Sequence, residues 1–255
     1  MDQVRIGLQL FSLRDELAAD MEGTIRRVAD IGYAGVEPFG LTPETATRTR
    51  RLCDELGLAV PSVHARMPEG EAVGAVMDTV AALAPERVVC TLGKAEFGSR
   101  EAVEKVCDRF NAANELLIAQ GLSFGVHNHW WEFEAVDGVT PYRVMLERLD
   151  PRVFFELDVY WMKTAGVDPA AVMSEFRGRA HLLHVKDGPA EVGRPMVALG
   201  QGAIDLPGIV AANAAATRWL IVELDVCETD MFEAVAESHS YLEKLVSSMS
   251  TSAAQ

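Results

Sequence analysis

Acids and histidines gather in this chain at the places where apolar runs end. The runs carry Gln9, Glu37 and His64, then His127, Asn128 and His129 with Glu132 just beyond, then Glu156 and Asp158. Later runs add His184, Lys186 and Asp187, and finally Glu223 and Asp225. Side chains two positions apart on a strand face the same way, so Gly125, His127 and His129 share a side, as do Glu156 with Asp158 and Glu223 with Asp225. Converging in a low-dielectric pocket, such carboxylates and imidazoles would repel one another or stay protonated unless a cation neutralised them. Mixed nitrogen and oxygen donors suit Mn2+, Co2+, Zn2+, Fe2+ or Mg2+, so these residue types point to a divalent metal centre.

Positioning them requires strands that all end on one side. Eight short, β-rich apolar runs are present, at 5–10, 35–39, 59–64, 87–91, 122–129, 153–158, 181–185 and 219–224. Helical stretches separate them. Met21 to Ile31 puts Ile25, Val28 and Ala29 near one face, and Glu101 to Ala119 carries Val103, Val106, Phe110, Ala113 and Leu117. Gly32 and Gly121 stand as helix stops, and Pro43 after Thr42, with Glu44 in the first turn, opens another helix. Shorter helices are expected near 141–149 and 169–176. Strand and helix in alternation mean a parallel sheet wrapped by helices, and eight strands close a barrel, a fold of about 250 residues. The chain has 255, so one (β/α)8 TIM barrel domain spanning 1–255 is expected, with a frayed tail from about 246. A doubly wound nucleotide-binding sheet is disfavoured, because Phe11-Ser12-Leu13-Arg14-Asp15 follows the first strand where a glycine-rich phosphate loop would stand.

Composition is that of a globular protein, 49% hydrophobic and 24% charged. A net charge of −15 repels phosphate backbones and argues against nucleic-acid partners. No apolar run suits a membrane span and no leader pattern opens the chain, so a cytoplasmic location is expected. Cys53, Cys90, Cys107 and Cys227 form no CxxC pair and are expected as small buried hydrophobes.

Five motifs in order, Gly125-Val-His-Asn-His-Trp-Trp-Glu-Phe133, Glu156-Leu-Asp-Val-Tyr-Trp161, His184-Val-Lys-Asp-Gly188, Leu199-Gly-Gln-Gly-Ala-Ile-Asp205 and Val222-Glu-Leu-Asp225, resemble the sugar phosphate isomerase/epimerase family. The resemblance begins at Gly7-Leu-Gln-Leu-Phe-Ser-Leu-Arg14 and runs to about Leu245. It implies a xylose isomerase-like barrel and one divalent ion, with Mn2+ favoured, held by strands five to eight. Carried over, the ligands are Asp158, His184 and Glu223. At the fifth strand Gly125 stands where ketose 3-epimerases of the family carry a glutamate, so Glu132 or His127 must serve, with Glu132 preferred. The implied chemistry is proton abstraction beside the carbonyl of a keto-sugar or related polyol, with His127, His129, Glu132 and Glu223 as the catalytic candidates. Metal-dependent lyases and dehydratases share that first step. An endonuclease IV-like phosphodiesterase is disfavoured by the acidic charge, and a non-catalytic sugar-binding barrel would lack a tight metal.

Around this centre Gln9, Glu37, His64, Trp130, Trp161 and Lys186 are candidates for substrate contact. Each has a plainer reading. Glu37 and His64 are equally at home as paired structural groups, the tryptophans as core beneath the loops. Lys186, expected on the side away from His184, suits a phosphate or carboxylate. Gly200 to Asp205 lacks the Lys-Ser/Thr ending of a phosphate loop, and Asp205 is expected to cap the helix at Pro207. His181, at the far end of its strand, and His239, in the last helix, are expected to be structural. A carbohydrate is the expected partner, and homo-oligomerisation is left open.

Overall fold

A computed structural model describes residues 4–252, with side chains from 4 to 249. The strands are β1 (Arg5–Gln9), β2 (Gly35–Glu37), β3 (Val63–His64), β4 (Arg87–Cys90), β5 (Ser123–His127), β6 (Phe154–Asp158), β7 (Ala180–Val185) and β8 (Trp219–Val222). They pair in parallel in the order β2-β1-β8-β7-β6-β5-β4-β3. The two edges of this sheet meet. Val36 N donates to Ala59 O at 2.9 Å and His64 N to Pro38 O at 2.9 Å, which all but closes the barrel. The run expected at 59–64 shrinks to a two-residue β3 because Pro61, with no N–H, cannot contribute to a ladder.

Helices cover the outside, and local sequence sets their ends. Thr42 and Thr45 exchange side-chain and backbone bonds at the start of Pro43–Leu56, which stops at Gly57 with φ of 70°. Met21–Ile31 buries Ile25 and Val28 and ends at Gly32, φ 112°. The helix expected over 169–176 divides into Pro169–Val172 and a 3-10 turn, Met173–Phe176. The helix Met231–Ser252 runs on through the expected tail, burying Leu242 and Val246 on one face, so 246–252 are helical. Residues 253–255 of that tail lie outside the described residues. Cys53, Cys90 and Cys107 are buried thiols, whereas Cys227 is half-buried. No helix among the described residues is long and apolar enough to cross a membrane.

The barrel interior is built in layers, because inward residues recur every second position. Val89, Phe154, Leu182, Trp219 and Ile221 form an apolar floor separate from the core under the helices. Gly35 and Gly125 make room for its rings. A Cβ on Gly35 would lie 2.9 Å from the Trp219 ring, and one on Gly125 2.4 Å from the Phe154 ring. Two positions further along, Gln9, Glu37, His127, Glu156, His184 and Glu223 make the next layer. One more period brings His129, Asp158, Lys186 and Asp225 to the mouth.

This packing predicts that Gly125→Ala costs roughly 1–3 kcal/mol, as overfilling a tight core does. Phe154→Leu should recover part of that loss in the double variant. Urea unfolding of both singles and the double checks it, and strictly additive costs would show that the ring does not limit position 125.

Candidate active site

Glu37 and Glu156, both fully buried, anchor the layer above the floor. His64 Nε2 lies 2.5 Å from Glu156 Oε2 and 3.2 Å from Glu37 Oε1. His184 Nε2 lies 2.7 Å from Glu37 Oε1 and 3.2 Å from Glu156 Oε2, and its Nδ1 is 2.9 Å from Glu223 Oε2. Gln9 Nε2 donates to Glu37 Oε1 at 2.6 Å, and Ser62 Oγ donates to Glu37 Oε2. Burial opposes every charge here. Even so, His184, His64 and His127 hold the Glu156 carboxyl well below the usual range, while burial and the Glu156 charge push Glu37 up. The same carboxylates, with Glu223, hold His184 well above its ordinary value against burial. Two neighbouring carboxyls thus move apart because both cannot carry charge equally well in one enclosed space. Burial takes His127 down to about 3, leaving it a neutral imidazole.

The mouth layer centres on Lys186. Its Nζ meets Asp158 Oδ2 at 3.0 Å, Glu223 Oε2 at 2.7 Å and Asp225 Oδ2 at 3.0 Å. These three carboxylates raise the lysine well above its usual value despite burial. Asp158 is committed twice, because its Oδ1 caps the helix Val159–Thr164 by accepting from Trp161 N at 2.9 Å. The expected separation of Lys186 from His184 is corrected: both side chains reach Glu223 Oε2, since positions 184 and 186 are one strand period apart and share a face.

Beyond β5 the chain turns so that Glu132 Oε2 accepts from His129 N at 2.8 Å. Burial, only partly offset by that bond, pushes the Glu132 carboxyl up to about 8. His129 stacks on Trp131 with ring centres 4.1 Å apart, and Thr91 Oγ1 sits 3.3 Å from its Nδ1. Burial lowers its pKa to about 2. Trp130 and Trp161 touch at 5.0 Å, and Lys186 Nζ lies 5.2 Å from the Trp161 ring centre. The aromatic rings and the ammonium therefore adjoin one another at the mouth layer.

After β7, Asp187 is fully buried and its carboxylate organises the loop 187–204. Oδ1 accepts from Gly188 N and Ile204 N at 2.9 and 3.1 Å, and Oδ2 from Gly200 N and Gly202 N at 2.8 and 3.0 Å. The amides of the glycine-rich stretch thus already hold an anion. Asp205 Oδ1 accepts from Gly208 N at 3.1 Å, capping the following helix as expected.

Two groups of donors come within 4.8 Å of one another: His64, His127, Glu156 and His184, and His127, Asp158, His184 and Glu223. They share His127 and His184. Glu132 lies in neither group, being engaged with His129, and Gly125 lies a layer lower at the floor. Glu156, expected from the sequence to share a face with Asp158 but given no ligand role there, belongs to the first donor group. Ser62 gave no signal, because Pro61 interrupts the strand period that would have revealed it. The donor set fits a metal: His127 Nδ1, Glu156 Oε1 and Asp158 Oδ2 are buried without hydrogen-bond partners, though the first and last lie within ion-pair distance of Glu156 and Lys186. Such lone pairs are costly to bury unless something binds them.

Two outcomes follow from these environments. The proton on Glu132 contributes stability that is complete below the unfolded carboxyl value of about 4.3 and is lost as pH rises through about 8. Glu132→Gln should therefore flatten the fall in urea midpoint across that window and leave the variant the more stable at its alkaline end. Asp187→Ala should cost on the order of 1.5–3 kcal/mol for a lost charge-assisted bond. Hydrogen exchange should quicken first at the amides of Gly200, Gly202 and Ile204, and unchanged protection there would show that other contacts hold the loop.

The Xylose isomerase-like TIM barrel family model matches residues 25–245. No curated protein matches the chain. Among solved structures, a sugar phosphate isomerase/epimerase from Parabacteroides distasonis superposes with TM-score 0.80 at 25% identity, covering 94% of this chain and 98% of its own. A second one from that organism gives 0.79 at 27%, covering 95% and 94%. An L-ribulose 3-epimerase shares the fold at 17% identity, TM-score 0.76, covering 98% and 97%. With the matched segment spanning β2 to β8 and these layers of acids and imidazoles at the barrel mouth, the chain belongs to the xylose isomerase-like TIM barrel family.

Proposed function

We propose that this protein is a metal-dependent enzyme that removes a proton beside the carbonyl of a keto-sugar or related polyol, acting as an isomerase or epimerase. The observation that carries the reading is the convergence of His64, His127 and His184 on Glu37, Glu156 and Glu223, with buried donor atoms left unsatisfied. His184 is common to both donor groups, so it is a ligand in either arrangement. A divalent ion held among these residues would polarise the substrate carbonyl and stabilise the negative charge that develops on its oxygen.

The chain's own residues supply the rest. Trp130 and Trp161 form a wall on which a sugar face can lie. His129, kept neutral by burial, is the candidate base: a ring nitrogen offers its lone pair, and the negative charge that develops on the substrate raises its low proton affinity as the proton moves. Glu132 acts on it by fixing its backbone, and Trp131 by fixing its ring plane. Glu223 orients His184, while Gln9 and Ser62 orient Glu37 below the substrate. Lys186 is matched by three carboxylates and is not free to bind a phosphate, which favours an unphosphorylated substrate. A second reading, elimination by a lyase, draws support from Gly125: the fifth-strand carboxylate that would return a proton on the other face is missing.

Metal-loaded protein incubated in D2O with keto-sugars, keto-glycosides and inososes distinguishes these. Deuterium uptake at the carbon beside the carbonyl without loss of water is expected, and an unsaturated product would assign the lyase. His129→Gln should lower the exchange rate by roughly 10²–10⁴-fold at unchanged metal content. Absence of exchange or elimination with every compound would sink the proposal.

A further inference from the structure

We infer that Asn128 is a positioning residue: its side-chain amide stands in for a missing ladder rung between β5 and β6 and fixes Asp158 and His129 relative to each other. The inference rests on the metal-dependent reading above, in which Asp158 belongs to a donor group and His129 is the candidate base.

Backbone pairing between β5 and β6 runs Gly125 with Phe154, Val126 with Phe155 and His127 with Glu156, and ends there. Continued, it would set His129 opposite Asp158. The chain turns away instead: His129 N donates to Glu132 Oε2 at 2.8 Å and Phe133 N to Trp130 O at 3.1 Å. On its other side β6 stays paired, with Asp158 opposite His184 on β7. The N–H and C=O of Asp158 face the side that β5 has left, and a buried residue cannot leave them without partners cheaply. Asn128 meets both. Its Oδ1 accepts from Asp158 N at 2.9 Å, and its Nδ2 donates to Asp158 O and to His129 O, each at 3.2 Å.

A short side-chain amide carries an acceptor and two donors on one planar group, which is the pattern this gap requires. One residue thereby lets β5 turn toward Glu132 while β6 continues straight. Asp158 Oδ1 is held by Trp161 N at 2.9 Å, so with the backbone clamped by Asn128 it is Oδ2 that faces the mouth, 3.0 Å from Lys186 Nζ. Asn128 is itself buried, stands one position out of phase with His127 and His129, and lies in neither donor group. Changing it removes no charge and no donor atom from the barrel interior, so any effect on the site has to pass through the residues it holds.

Co2+ titration of the wild type, Asn128→Ala and Asn213→Ala tests the role. Asn213 is the matched control at the opposite end of the barrel, where its buried amide donates to Ala180 O at 2.9 Å. The wild type is expected to bind one Co2+ per chain. Asn128→Ala should weaken that binding by on the order of 10–100-fold under conditions where circular dichroism shows it fully folded, as loss of a group behind a ligand does. Hydrogen exchange at the Asp158 amide should quicken in the same variant. Asn213→Ala should lower the urea midpoint and keep the wild-type Co2+ affinity. Asn128→Ser, with a smaller donor and acceptor, replaces the alanine variant if the latter does not fold, and should show a weaker effect of the same kind. Unchanged Co2+ affinity in a folded Asn128 variant, or equal weakening in Asn213→Ala, would make the amide a general structural bond and overturn the inference while leaving a metal enzyme intact. Failure of the wild type to bind any Co2+ would overturn both this inference and the reading beneath it.

Discussion

Charge buried inside a closed barrel has to be neutralised by other groups in the same layer, and this constraint organises the structure. Each carboxylate removed from water carries a penalty of several kcal/mol unless a cation or proton stands beside it. Glu156 Oε2 accordingly lies within 3.2 Å of nitrogens from His64, His127 and His184, and Glu223 Oε2 within 2.9 Å of His184 and Lys186. Neighbours on different strands are tied into one network. A change at any member alters the field felt by the others, so single substitutions here report on the cluster and not on one bond.

Height within the barrel is set from beneath. Trp219 and Phe154 fill the floor so closely that a Cβ at Gly35 or Gly125 would clash with their rings. The next inward residue on each strand is therefore the first that can carry a functional group. This is why Gly125 cannot serve as a ligand position in this chain: its Cβ would meet the Phe154 ring, well below the imidazoles. His127, one strand period higher, is the β5 residue that lies in both donor groups, and burial keeps its imidazole neutral.

Much of this was legible in the sequence, because period two and period 3.6 are local properties. All eight strands fall within the apolar runs or a residue beside them, and Met21–Ile31 matches its expected limits. What failed depended on local caps and turns as well as on distant parts of the chain. β3 is short because its pairing with β2 turns on Pro61. The helix Val159–Thr164 was not anticipated, since its start depends on Asp158 serving as a cap while also facing the mouth. Glu132 had the right residue type near the right strand, yet the turn after β5 directs it to His129 N. Asp187 looked like one more acid in a cluster, and its four backbone partners come from as far as position 204. Residue type and spacing revealed which strand ends carry acids and imidazoles, whereas their partners emerged only from the folded chain.

The division between the two layers also bears on what the mouth can accept. Lys186 is surrounded by acids from β6 and β8, so its positive charge is spent within the protein. A phosphorylated ligand would have to detach that ammonium from three carboxylates or enter a region where their charge dominates, and either step is unfavourable in an enclosed pocket. A neutral polyol meets no such barrier. In the proposed reading it would exchange hydroxyl hydrogen bonds with the outer carboxylate oxygens and rest its apolar face on Trp130 and Trp161. Under the proposed reading, the same lysine that keeps the upper carboxylates paired would bias the mouth toward uncharged substrates, coupling its stability to its selectivity.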